Sequence, residues 1–258
     1  MDKNPEGVVL FYDSEFGTPQ GYFDVFDIDT TRIVHVPVTD LEELKFDMVA
    51  QLKEIETDDK VFIMVDSVGN LASKKEVDDA ESQKSAADMT RAKQFKSLFR
   101  MITPHLTMKD IPMVAINHTY DSQGLYPTKV VSGGTGMYYS ADTIWIVGRQ
   151  QDKVGTEIQG YHFVINVEKS RFVKEKSKIP ISVSWEKGVD KFSGLLDMAM
   201  DYGVISRSGG WYQMVDVESG EVSDKKFREK DTHNSEFWQP ILEDVKFDEF
   251  ISKKFRVG

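Results

Sequence analysis

The feature that most constrains the fold of this chain is a series of short apolar runs that recur between helical patterns. Several runs are unbroken, which is typical of parallel strands covered by helices on both faces. We therefore predict an α/β fold with a mostly parallel central sheet flanked by helices. The predicted strands are Val8–Tyr12, Ile33–Val36, Val61–Val65, Met113–Ile116, Thr143–Val147, Tyr161–Val167 and Ile179–Trp185. The last three follow one another closely, as antiparallel strands do.

Helical periodicity separates the early strands. We predict helices over Leu41–Ile55, with Asp40 as N-cap, and over Ala86–Ile102. Towards the C-terminus, an amphipathic pattern runs from Trp238 to Phe255. Strands that alternate with helices in this way favour parallel pairing of the early strands.

The pattern of secondary-structure signals in the sequence changes from about Ser193. A short helical pattern ends at Gly203, and turn signals follow at Gly209–Gly210. We therefore predict a small α+β C-terminal subdomain over residues 191–258, after a core over residues 1–190.

Composition excludes several classes of protein. A net charge of -11 argues against a general polyanion binder, although lysines and arginines cluster locally. The chain contains no cysteine, which excludes disulfide frameworks and thiol nucleophiles. No stretch approaches the roughly 20 apolar residues of a membrane span, and no apolar leader is present. We expect a soluble cytoplasmic protein that does not enter a membrane.

Polar residues follow three of the predicted strands. In open parallel sheets, ligands bind beyond the carboxyl ends of the strands, so these residues are the first candidates for a site. They are Asp13 and Glu15 after the first strand, Asp66 and Ser67 after the third, and His118 after the fourth.

Each candidate has a functional and a structural interpretation. An apolar strand ending in Asp66 fits an acid that holds nucleotide-bound magnesium through water, but the same pattern serves turns and caps. Glu15 is either a general base or an exposed turn carboxylate. His118 either senses a phosphate or is a hydrogen-bonded histidine at a strand end. The residues alone leave these alternatives open.

Six longer segments carry a more specific signal than these single residues, and together they extend over almost the whole chain. They are Leu10–Gly17, Asp66–Glu76, Met89–Lys93, Ala115–Tyr120, Gly133–Gly136 and Val167–Arg171. Together they resemble the UvsX-type phage recombinases of the RecA superfamily. The resemblance implies a RecA-like ATPase core that binds ATP and magnesium.

The resemblance also assigns roles around the nucleotide. It implies that Glu15 activates the attacking water and that Asp66, next to Ser67, is the magnesium acid. His118 occupies the position that couples the γ-phosphate to a DNA-binding loop. Tyr22 lies where the family has an aromatic residue that packs on adenine.

Two cations are implied to act between subunits. Lys169 and Arg171 match a pair that reaches across the filament interface to the phosphates of the neighbouring subunit. A cation supplied in this way accelerates phosphoryl transfer by about a thousandfold or more, so hydrolysis would depend on assembly.

Two segments are candidates for DNA binding. The first, roughly Ser73–Ser85, leads into a helix on which Arg91 matches a DNA-contacting arginine of the family. Lys93, Lys96 and Arg100 form an adjoining stripe that is either a DNA contact or a solvated helix face.

The second segment is Thr119–Ser132. It contains Tyr120, Tyr126 and Lys129, and aromatic rings near cations suit single-stranded DNA. An ordinary surface loop is the alternative. Gly133–Gly134 follow it, where the family has glycines after its second DNA loop.

One departure from the family is large. The 258 residues contain no Gly-x-x-x-x-Gly-Lys-Ser/Thr motif, and such a loop holds the phosphates in the family. We expect this chain to be the C-terminal portion of a recombinase, without the P-loop strand that would lie beside the strand leading to His118. A separate P-loop-bearing N-terminal polypeptide would complete it, and the chain would be an ATPase only then.

The sequence thus predicts a fragment or subunit of a DNA-dependent ATPase recombinase. It would form filaments with neighbouring subunits on single-stranded DNA and pair that strand with homologous duplex DNA in recombination and repair. The alternative is a non-hydrolysing RecA-like DNA-binding accessory, or a remnant without nucleotide chemistry.

Overall fold

A computed structural model of the chain describes residues 4–18, 21, 23, 28–82 and 90–257. Tyr22, the predicted adenine contact, lies outside the described residues. The chain divides into two compact units, residues 1–141 and 142–258.

The first unit is built on a four-stranded parallel sheet, as predicted. Its strands are β1 (Val8–Asp13), β2 (Ile33–Pro37), β3 (Val61–Asp66) and β4 (Met113–Ala115), in the order β2-β1-β3-β4. The two central strands are in register, so that Asp13 and Asp66 face each other at their carboxyl ends. This register places the residues after both strands side by side.

Helices cover this sheet. The N-cap of α1 is Asp40, as predicted, and its side chain accepts a hydrogen bond from the Glu43 N–H. Apolar residues of α1 and α3 at helical spacing form the core with the sheet. The α-helices in the described part of this unit are α1 (Leu41–Glu54), α2 (Lys74–Glu81), α3 (Thr90–Met108) and α4 (Thr135–Ser140).

Two predictions for this unit need correction. Helix α3 does not stop at Ile102 but continues through Pro104, because Leu106 in the following turn packs against the core and offsets the hydrogen bond lost at proline. Much of the predicted first DNA loop is the helix α2, whose N-cap Ser73 accepts a hydrogen bond from the Glu76 N–H.

The predicted second DNA loop contains a hairpin. Strands β5 (Thr119–Asp121) and β6 (Lys129–Val131) pair antiparallel. Beyond the paired residues, the Ser122 hydroxyl accepts a hydrogen bond from the Thr128 N–H. The two ends of the segment therefore form a β-hairpin.

The second unit begins with an antiparallel meander, as the close spacing of its strands predicted. Strands β7 (Thr143–Val154), β8 (Glu157–Ser170), β9 (Lys178–Ser184) and β10 (Gly188–Val189) follow in the order β10-β9-β8-β7. The first two strands are longer than predicted, because an antiparallel ladder continues over polar residues as far as the turn at Gly155.

A separate hydrophobic core lies near the C-terminus, within the second unit. Tyr212, Phe227 and Trp238 are buried in it, and the Trp238 indole donates a 2.6 Å hydrogen bond to the Thr232 carbonyl. The surrounding elements are α5 (Leu195–Tyr202), β11 (Ile205–Ser208), β12 (Trp211–Val215), β13 (Val222–Phe227), α6 (Ser235–Leu242) and α7 (Val245–Phe255).

The elements of this segment follow the predicted α+β pattern with one difference. The amphipathic stretch from Trp238 to Phe255 is divided between α6 and α7, because Asp244 caps a new helix by accepting from the Lys246 N–H. The boundary between residues 190 and 191 stays a prediction. Among the described residues, no helix is long and apolar enough to cross a membrane.

Candidate nucleotide-binding site

The ends of β1 and β3 are joined by hydrogen bonds through two serines. The Ser14 N–H donates to the Asp66 carbonyl at 2.8 Å, and the Ser14 hydroxyl donates to the Ser67 carbonyl at 2.6 Å. In return, the Ser67 N–H donates to the Ser14 hydroxyl at 3.0 Å. The two turns that follow the central strands are therefore held against each other.

The predicted base Glu15 belongs to the turn after β1 and contacts the turn after β3. Its Oε1 accepts a 2.9 Å hydrogen bond from the Ser67 hydroxyl and a 2.8 Å hydrogen bond from the Asn70 side-chain amide. The residue is exposed, so its carboxylate is oriented by two donors and still reaches solvent. An oriented, accessible carboxylate at a strand end is suited to accept a proton from a bound water.

Asp13 fixes the backbone that carries Glu15. The residue is 1% exposed, and its Oδ1 accepts hydrogen bonds from the N–H groups of Glu15 at 3.0 Å and Phe16 at 2.9 Å. Its Oδ2 lies 3.1 Å from His35 Nε2, and the Phe11 ring stacks on that imidazole. Asp13 therefore supports the turn, while Glu15 faces outward.

Asp66 lies close to two other carboxylates. Partial burial raises the pKa of its carboxyl above the ordinary value, and the neighbouring carboxylates of Glu15 and Asp13 raise it further, while His118 lowers it. Like-charge repulsion of this kind is relieved by a cation.

Magnesium fits this position. It usually binds through one or two carboxylates, with phosphate oxygens and waters completing its octahedron. No group of three or more histidine, aspartate or glutamate side chains that could hold a metal ion occurs among the residues that the structure describes. Asp66 is the residue that would hold it.

His118 approaches the same cluster from β4. Its Nε2 lies 2.9 Å from the side-chain oxygen of Asn70, the residue that also donates to Glu15. Sequence reasoning did not select Asn70. A signal was present, because Asn70 is a polar residue four positions after Asp66, where a turn at the sheet edge brings side chains together.

The two predicted trans-acting cations lie in the second unit. Lys169 is at the carboxyl end of β8 and is half-buried, and Arg171 follows that strand. The Arg171 guanidinium forms an exposed ion pair with Asp142, with Nη1 and Oδ1 3.2 Å apart. The structure places these cations two residues apart, and their relation to Glu15 stays a prediction.

The predicted DNA contact Arg91 holds the segment after β3. Its Nε donates to the Leu71 carbonyl at 2.8 Å, and its Nη2 donates to the Gly69 carbonyl at 2.5 Å. The guanidinium also lies over the Phe95 ring, 5.0 Å from its centroid. Arg91 thus joins the start of α3 to the loop that carries Asn70, and its role as a DNA ligand stays a prediction.

The hairpin presents its predicted DNA residues to solvent. Tyr120 is exposed, and Tyr126 at the tip is 90% exposed. Lys129 pairs with Asp121 across the two strands at 2.9 Å. An aromatic ring with this exposure is free to stack on a base.

A groove brings two further predicted groups together. Lys93 and Lys96 of α3 line a cavity of about 270 Å³ whose opposite wall is formed by Gly133–Gly134 and Gly136. Both Gly133 and Gly134 have positive φ, at 91° and 78°. Of the stripe considered above, Lys93 and Lys96 therefore lie beside the glycines that the sequence had selected separately.

An α/β sheet that gathers acids beyond its central strands has the arrangement of nucleotide-binding α/β proteins. Over its whole length, the chain is 49% identical to the "Recombination and repair protein" of Enterobacteria phage T4 and covers 67% of that protein. The family model described as "Bacteriophage T4, Recombination and repair protein, C-terminal domain" matches residues 192–251. The chain belongs to the UvsX-type recombinases of the RecA superfamily.

The chain is also similar to a more distant curated protein. The "Protein RecA" of Mycoplasma mycoides is 26% identical over 83% of the chain, which spans 62% of that protein. The match to the structure titled "Crystal structure of the RadB recombinase" covers 71% of this chain and 78% of the RadB chain, with 16% sequence identity and a TM-score of 0.49. The chain thus spans about two thirds or less of the length of these curated relatives.

Proposed function

We propose that this chain supplies the residues for ATP hydrolysis in a DNA-dependent ATPase recombinase. The complete recombinase forms filaments on single-stranded DNA and promotes homologous pairing and strand exchange. The observation that carries the proposal is the convergence of Glu15, Asp66 and His118 beyond the carboxyl ends of β1, β3 and β4. The 49% identity to the T4 recombination and repair protein supports it.

The chemistry follows from the positions of the side chains. Glu15, oriented by Ser67 and Asn70, accepts the proton of the water that attacks the γ-phosphate. Asp66 holds the cation that accompanies ATP, and magnesium, when bound, neutralises charge on the phosphates. His118, whose Nε2 lies 2.9 Å from Asn70 in the same cluster, contacts the γ-phosphate in this proposal.

A phosphate-binding loop must come from outside the sequence described here, since these 258 residues contain no such motif. In the described part of the chain, β4 forms one edge of the parallel sheet, and Val114 on it is 48% exposed. We propose that a strand carrying the phosphate-binding loop pairs with β4. Backbone groups at an open edge accept such a strand readily.

Two surfaces serve assembly and DNA binding in this proposal. Lys169 and Arg171 contact the nucleotide of a neighbouring subunit, and Arg171 must then exchange Asp142 for a phosphate. The hairpin and the groove lined by Lys93 and Lys96 bind single-stranded DNA through stacking and phosphate contacts.

The test is ATP hydrolysis with and without single-stranded DNA. We expect little turnover from the chain alone and DNA-stimulated turnover once a fragment with the phosphate-binding loop is added. Glu15→Gln in the completed protein should retain ATP and DNA binding and lower turnover at least 100-fold. If the fragment binds but restores no turnover, the chain is a non-hydrolysing DNA-binding accessory instead.

A further inference from the structure

The side chain of Asn70 connects the predicted base to the histidine that precedes the hairpin. Its Nδ2 lies 2.8 Å from Glu15 Oε1, and its Oδ1 lies 2.9 Å from His118 Nε2. Glu15 and His118 belong to segments that follow different strands of the sheet, β1 and β4. Asn70 is thus in contact with both.

The chemistry of the three groups fixes the direction of both hydrogen bonds. An ionised carboxylate only accepts, so the amide must present its NH₂ group to Glu15. The amide oxygen then faces His118 and requires a proton on Nε2. In this arrangement the Nδ1 atom of a neutral His118 is an acceptor and cannot donate to a phosphate. When His118 is neutral, a phosphate oxygen that accepts a hydrogen bond from this imidazole must therefore replace Asn70 at Nε2.

The backbone is built to allow this contact. A Cβ atom on Gly69 would lie 2.3 Å from His118 Cδ2, so the imidazole reaches Asn70 only over a glycine. Arg91 holds the Gly69 and Leu71 carbonyls on either side of Asn70. These contacts hold the backbone on both sides of Asn70.

We infer that Asn70 is a positioning residue that couples His118 to Glu15, an inference that rests on the proposed ATPase function. While His118 donates to Asn70, the amide holds Glu15 against Ser67. When a γ-phosphate oxygen accepts the hydrogen bond from Nε2 instead, Asn70 is released and Glu15 loses one of its two donors. Because His118 directly precedes β5, DNA contacts of the hairpin act on Glu15 through the same amide.

The functional test measures the ratio of ATP turnover with single-stranded DNA to turnover without it, in the protein completed by a phosphate-binding segment. Asn70→Ala should lower this ratio at least fivefold without weakening DNA binding, and Gly69→Ala should do the same by displacing His118. Gln51→Ala removes an exposed amide from α1 and should leave the ratio unchanged. An unchanged ratio in Asn70→Ala would overturn the inference.

A second test does not depend on catalysis. In the full chain, NMR of labelled histidine should detect the Nε2 proton of His118, slowed in exchange by its hydrogen bond to Asn70. The signal should disappear in Asn70→Ala and persist in Asn70→Asp, whose carboxylate still accepts from His118 but repels Glu15. His35 provides an internal reference, since its Nε2 contacts Asp13.

The two measurements separate the inference from the proposed function. If the NMR signal depends on Asn70 but the completed protein does not hydrolyse ATP, the proposed function fails and the contact between Asn70 and His118 stands. If hydrolysis depends on Glu15 while Asn70→Ala alters neither the NMR signal nor the DNA stimulation, the function stands and the coupling role of Asn70 is wrong.

Discussion

The Tyr12 hydroxyl donates a 2.7 Å hydrogen bond to the Asp47 carboxylate and thereby connects the central strand β1 to helix α1. Burial of the ring raises the pKa of the Tyr12 phenol, and the adjacent carboxylate of Asp47 raises it further. The phenol is therefore a neutral donor at neutral pH.

Tyr12→Phe should lower the free energy of unfolding by about 2 kcal/mol, the usual contribution of a hydrogen bond to a charged acceptor. Urea denaturation at pH 7 measures this change. In an Asp47→Ala background the same substitution should cost much less, because the acceptor has already been removed. An equal cost in both backgrounds would show that the hydrogen bond contributes nothing.

Asp66→Asn should raise the melting temperature at neutral pH. The carboxyl has a raised pKa in the folded protein, so the folded state is penalised once Asp66 is ionised, and stability falls as the pH rises through that pKa. The gain from the substitution should therefore be largest at pH 7, shrink as the pH falls through the raised folded pKa, and be lost below about pH 4, near the ordinary pKa of aspartate.

The measurement for Asp66 is thermal unfolding of both proteins across this pH range. Asp197→Asn, a substitution in the first turn of α5, serves as a control in which no such pH-dependent gain is expected. A wild-type protein that is more stable than Asp66→Asn at pH 7 would contradict the assignment of the repulsion.

Gly133→Ala should destabilise the fold by about 1 to 3 kcal/mol, because the residue has a φ of 91° and a Cβ atom would lie 2.8 Å from Met137 Cε. Chemical denaturation measures the loss. Gly17→Ala is the matched control, since its nearest neighbour would be an ordinary contact at 3.6 Å and its φ is not positive. Equal effects in the two variants would remove the conformational argument.

Lys93→Ala and Lys96→Ala should each weaken binding of single-stranded DNA and reduce the salt dependence of the association by about one counterion. Fluorescence anisotropy at several salt concentrations gives both values. Lys53→Ala, in the last turn of α1, should change neither. If the groove variants keep the wild-type salt slope, these lysines belong to a solvated helix face.

Much of the fold could be predicted because its signals are local. Unbroken apolar runs predicted the strands, because the end of a strand is encoded within a few residues. Glu15, Asp66 and His118 could be selected as candidate site residues because they are polar and follow these runs. The length of β7 and β8 could not be predicted in this way, because their ladder continues over polar residues that carry no apolar pattern.

The sequence by itself determined that a parallel sheet would bring three acids and a histidine to one edge, because parallel strands carry their carboxyl ends to the same side. Only the tertiary structure decided that Asn70 bridges Glu15 and His118, and that Lys93 and Lys96 face Gly133–Gly134. These pairs are separated by tens of residues in the chain. Their contact depends on strand register and helix packing, which no local pattern specifies.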